Sequence, residues 1–63
     1  MKEKVIIFEF FKETQGTRRY KEIVPENEEP VIRDLYIRKS FLKDQKPERI
    51  TIVLRFEEED KVL

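Results

Sequence analysis

The residues that could do chemistry in this chain are its carboxylates, its arginines and lysines, and its aromatic rings, because it contains no cysteine, no histidine and a single serine, Ser40. Nucleophilic and general-base catalysis near neutral pH draws mainly on the missing types, and Ser40 has no obvious activator. No glycine-rich phosphate loop or metal-ligand spacing is present, so the inventory predicts a non-enzymatic protein with no cofactor and no metal. Glu9 stands out among the carboxylates because it interrupts the apolar run from Val5 to Phe11, where burial would raise its pKa. A cross-strand pair with Lys21 accounts for it without chemistry. Glu26, Glu28 and Glu29 lack the alternating ligands and the turn glycine of a calcium loop and read as a solvated connection.

The more organised set is basic and aromatic. If the chain forms strands, alternation places Phe11, Arg19, Lys21, Tyr36, Arg38, Arg49 and Arg55 on the face opposite the apolar one. Rings interleaved with guanidinium groups on a sheet suit single-stranded nucleic acid, since bases stack on rings while phosphates pair with Arg and Lys. Glu9, Asp34 and Glu57 interleave the same face with negative charge, which weakens the pattern. The alternative is a protein-interaction or inhibitor module, of the kind a virus or mobile element would use against a host enzyme, acting through a sheet face or edge.

Four elements must position these residues. Lys4–Lys12 is an apolar, aromatic and β-branched run with no open polar face, which predicts a central strand. Glu13 to Thr17 reads as a three-residue hairpin loop, with Gly16, the one glycine, in the left-handed region as a bulge. Thr17–Val24 returns as the second strand, with Glu9 against Lys21, Phe10 against Tyr20 and, less favourably, Lys12 against Arg18. The segment between Pro25 and Pro30 is a loop. Val31–Lys39 reads as a third strand, although residues 31–43 also carry a helical stripe and would make the chain α+β. Ser40 to Glu48 connects, with Phe41 and Leu42 folding back onto a sheet edge, and Arg49–Glu57 alternates cleanly as the fourth strand. The expectation is an all-β fold: a four-stranded antiparallel sheet of two hairpins, first with second and third with fourth, in one small domain over residues 1–63.

Composition supports the class. Alanine is absent, while Val and Ile supply twelve residues and Phe and Tyr seven, so strand formers dominate the uncharged residues. Charged residues reach 44% at zero net charge, with acids gathered between residues 25 and 30 and in the run Glu57 to Asp60, read as a solvated strand exit. High charge with few Asn, Gln and Met points toward a hot environment. No stretch approaches about 18 apolar residues, and the first residues are charged too soon for a signal peptide, so a cytoplasmic protein away from membranes is expected. A chain of 63 residues buries only about 60% of its unfolded surface. Without disulfide or likely metal, the missing stabilisation is expected from a second copy, packed as a homodimer over an apolar face running from Ile6 to Phe56.

Overall fold

The computed structural model describes residues 1–58, so Glu59 and Asp60 of the acidic run lie outside the described residues. Glu57 and Glu58 are exposed, and Glu58 reaches back to Lys2 at 3.1 Å. The described residues form four strands, β1 (Lys2–Glu13), β2 (Thr17–Glu22), β3 (Asp34–Arg38) and β4 (Arg49–Phe56), with one helical turn, α1 (Lys39–Leu42), before β4. All neighbouring strands are antiparallel in one curled sheet of order β3-β2-β1-β4. The all-β expectation holds, and β1 is central as its apolar faces require. The helical alternative for residues 31–43 is realised only in α1, where Lys43 at φ 57° closes the turn.

The pairing of the third and fourth strands differs from the two-hairpin expectation. β4 pairs with β1 over its whole length, from Lys2 opposite Phe56 to Glu9 opposite Arg49, and β3 pairs with β2. A meander of three strands with the fourth returning beside the first is the Greek-key order. The physical reason lies on the inner face. Arg18 donates from Nη2 to the Pro47 carbonyl at 3.1 Å, and the Tyr20 hydroxyl donates to the same oxygen at 2.8 Å. These bonds hold the connection after α1 across the sheet and deliver β4 to the far edge. Phe41 does not fold back on an edge as expected, being 79% exposed, while Leu42 is half-buried.

The first hairpin keeps the anticipated pairs Glu9 with Lys21 and Phe10 with Tyr20, but the register shifts by one between Phe10 and Lys12. The bulge therefore sits at Phe11, not at Gly16, and no glycine has positive φ. Thr14 donates its N–H to the Thr17 carbonyl at 2.8 Å, which shortens the turn to Gln15 and Gly16. The shift replaces the unfavourable Lys12–Arg18 pairing by Glu13 opposite Arg18, joined at 2.6 Å. One extra residue brings Glu13 into an ion pair with Arg18, while Lys12 moves from Arg18 to a place opposite Arg19.

The core is small. Ile6, Phe8 and Tyr20 are buried, with Phe10, Leu35, Ile37, Ile50 and Ile52 packed partly against them. Curling covers the centre of the apolar face within one chain, whereas Leu54 and Phe56 remain exposed at the end of β4. There β2 has already ended, so the first half of β1 and the second half of β4 form a two-stranded arm. The radius of gyration of 14.6 Å reflects it, against about 11 Å for a compact chain of this length. No helix among the described residues is long and apolar enough to cross a membrane.

Arg18 is the one buried charged residue among those described, and its neighbours match its needs. Its Nη1 donates to Glu13, its Nε donates to the Tyr20 hydroxyl at 3.0 Å, and its guanidinium lies 4.0 Å from the Phe10 ring centroid. The Tyr20 hydroxyl, then Glu13, favour the charged form and outweigh the effect of burial. Tyr20→Phe should cost about 1–2 kcal/mol, because Arg18 Nε loses its acceptor and Pro47 loses a donor without any large change in packing. Urea denaturation of the two proteins side by side measures it, and an unchanged midpoint would remove this network from the account of stability.

Candidate functional site

Strand alternation and the observed register put Phe11, Arg19, Lys21, Tyr36, Arg38, Arg49 and Arg55 on the outer face, opposite the buried side of the sheet. Four of them form one cluster. The Arg19 guanidinium lies between two rings, 5.2 Å from the centroid of Phe11 and 5.5 Å from that of Tyr36. Lys21 Nζ stands 4.3 Å from the Phe11 centroid. The bulge at Phe11 helps to build this arrangement, since an extra residue re-aims its side chain where a regular ladder would not.

Arg19 is anchored by Asp34, whose Oδ1 accepts from Nη2 at 3.3 Å, while Arg19 Nε is buried without a partner among the described residues. The rings differ in what they leave open. Phe11 carries both cations, whereas Tyr36 carries only Arg19 and is 57% exposed, so Tyr36 offers the freer ring face. Arg38 is two residues along β3 on the same side, and Arg49 flanks Glu9 opposite Lys21. Neither Arg38 nor Arg49 makes an ion pair among the described residues.

Arg55 does not join the cluster. It sits near the end of the two-stranded arm, where its Nε donates to Glu3 at 3.2 Å. Glu9 and Lys21 are cross-strand partners as expected, yet no ion pair forms between them, because Lys21 turns to the Phe11 ring. The outer face also carries apolar residues that sequence reading assigned no role: Val5 pairs with Val53, and Ile7 is bonded to Ile23 through the Ile23 N–H at 2.8 Å.

A second polar construction, missed in the sequence, borders β3. The Glu22 carboxylate accepts the backbone N–H groups of Val31, Ile32 and Arg33 at 3.0, 2.7 and 2.9 Å through Oε1. Those residues form a tight turn in which Asp34 N–H reaches the Ile32 carbonyl at 3.1 Å and Arg33 has φ 78°. Positive φ at a non-glycine residue costs energy, and the carboxylate is what holds it. Burial pushes the Glu22 pKa upward, but the three N–H donors together outweigh it and hold the carboxyl below its ordinary value. Glu22 therefore serves the fold; its acceptor capacity is spent on the turn.

The outer face thus brings together an exposed phenol ring, a guanidinium beside it held by Asp34, and two arginines, Arg38 and Arg49, that make no ion pair among the described residues. Compared with protein-family models, curated proteins and solved structures, the chain matches none of them.

Proposed function

We propose that this is a non-enzymatic protein that binds single-stranded nucleic acid through its outer sheet face. The observation that carries the reading is the Phe11–Arg19–Tyr36 stack with Lys21 against it, standing exposed on a sheet and flanked by Arg38 and Arg49. A base stacks on the open face of Tyr36 while Lys21, Arg38 and Arg49 neutralise phosphates. Glu9 is the main opposing charge, and it lies between Lys21 and Arg49 where both cations offset it. Arg55, committed to Glu3, contributes little to the contact.

Fluorescence anisotropy with a labelled oligothymidylate across a salt series tests this. Affinity should fall with salt with a slope of about −0.7 per phosphate neutralised, and Arg38→Ala should lower the slope by about that amount. Tyr36→Ala should weaken binding by about 1–3 kcal/mol with the slope unchanged, because stacking carries no counterion release. Arg55→Ala serves as the control. Absence of binding to any oligonucleotide at low salt would overturn the proposal. A protein-docking role rests on a different observation, the exposed apolar residues Val5, Ile7, Ile23 and Val53 on the same face.

A further inference from the structure

β4 is an edge strand whose outward backbone groups can be assigned. The Phe10 N–H donates to the Glu48 carbonyl at 2.8 Å, which sets the phase of the β1–β4 ladder. Bonds alternate along an antiparallel pair, so Ile50, Ile52, Leu54 and Phe56 bond to β1, while Arg49, Thr51, Val53 and Arg55 point their N–H and C=O groups away from it. This edge is eight residues long, without proline and without a bulge in its pairing with β1. Lysine, proline and bulges are the usual protections of an edge, and none interrupts this one. The other edge, β3, is five residues long and is bounded by the Arg33 turn and by α1.

We propose that a second copy of this chain pairs with β4, β4 against β4 antiparallel, about a twofold axis through Val53, to make a continuous eight-stranded sheet. The strand is complementary to itself in that register. Arg49 meets Glu57 of the second copy, Thr51 meets Arg55, and Val53 meets Val53 through the outward-pointing backbone groups. On the inner side Ile50 meets Phe56 and Ile52 meets Leu54, which joins the exposed apolar end of one β4 to the better covered end of the other. Moving the axis to Ile52 would set Arg49 against Arg55, a like-charge pair. The register thus unites an opposite-charge pair, an unbroken apolar row and a full ladder. The interface lies edge to edge, whereas the sequence alone led to the expectation of packing over a face. Both outer faces fall on the same side of such a dimer, but the pairing does not depend on nucleic acid.

Sedimentation in the absence of nucleic acid tests it. The unmodified protein should be a dimer at micromolar concentration. Val53→Lys and Val53→Glu, each half-exposed and on an edge, should retain the far-UV circular dichroism of the fold yet weaken self-association by roughly tenfold or more, since each sets like charges face to face on the axis. An equimolar mixture of the two variants should recover a dimer. Hydrogen exchange of the unmodified protein provides a measurement that needs no variant: the outward amides of Thr51, Val53 and Arg55 should gain protection as concentration rises. A monomer at micromolar concentration, variants that dimerise like the unmodified protein, a mixture that stays monomeric, or outward amides without concentration-dependent protection would each overturn the proposal.

Discussion

Phe8→Ala is expected to leave the chain unfolded at room temperature. Phe8 is fully buried at the centre of a core with only two other buried apolar residues among those described, Ile6 and Tyr20, and it is paired with Ile50 on one side and Glu22 on the other. Truncating a buried Phe costs about 3–5 kcal/mol through lost transfer energy and the cavity left behind. A single core in a chain this small rarely supplies more than about 3–5 kcal/mol in all, so the substitution removes stability of the order of the whole. Phe41→Ala is the internal comparison, since Phe41 is a ring of the same type exposed on α1, and its loss should shift the urea midpoint very little. Far-UV circular dichroism in urea distinguishes the two. A cooperative transition for Phe8→Ala close to that of the parent would mean that the stability resides elsewhere, most simply in association between copies.

What could be read from the residues alone divides along physical lines. β1 and β4 were legible because their apolar residues either run without interruption or alternate strictly, and tertiary packing only had to agree with that pattern. The Phe10–Tyr20 register was legible for the same reason. The hairpin turn was not, because the lone glycine looked like the residue that must take positive φ, whereas the positive values occur at Asn27, Arg33 and Lys43. Each of those three lies in a tight connection: Asn27 in the turn where the Glu28 N–H donates to the Pro25 carbonyl at 3.2 Å, Arg33 in the turn held by Glu22, and Lys43 at the closing bond of α1, its own N–H donating to the Lys39 carbonyl at 2.7 Å. The partner of β4 was not legible either. Adjacent strands in sequence usually pair, whereas here the contacts of Arg18 and Tyr20 with the Pro47 carbonyl, and the Phe10 N–H bond to the Glu48 carbonyl, carry the chain to the far side of β1.

Arg18 and Arg19 show how far residue type alone reaches into the candidate site. They are neighbours of identical chemistry, yet one is enclosed with Glu13 and Tyr20 on the inner face and the other is stacked between rings on the outer face. Alternation separates them, so the placement of Arg19, Lys21, Tyr36 and Arg38 on one side followed from period alone. Which of these residues would gather did not follow. The gathering depends on the extra residue at Phe11, and on Lys21 preferring a ring to the carboxylate of Glu9. Arg55 was grouped with the others by parity, but a strand of eight residues carries it far along the arm to Glu3.

Acid should unfold the protein through Glu22 more than through its many surface carboxylates. Three backbone donors hold the Glu22 carboxyl below its ordinary pKa despite partial burial, and Arg18, followed by Lys39, lowers that of Glu13. A group whose folded-state pKa is depressed contributes stability that is fully present above its unfolded pKa and is lost as pH falls through the folded value. The urea midpoint should therefore be flat from neutrality down to about pH 5 and decline below the ordinary carboxylate range near about pH 4.3. Charge-assisted bonds reach about 1.5–3 kcal/mol, but water competes at this half-open turn, so Glu22→Gln should cost about 1–2 kcal/mol at neutral pH. The variant keeps one neutral acceptor and places an amide donor against N–H groups that need acceptors, and the strained Arg33 turn loses its hold. Its acid limb should be shallower, and the two curves should converge once Glu22 is protonated in the parent. Parallel curves at every pH would instead assign the acid sensitivity to Glu13 and the ion pairs around Arg18, where Glu13→Gln would then flatten the limb.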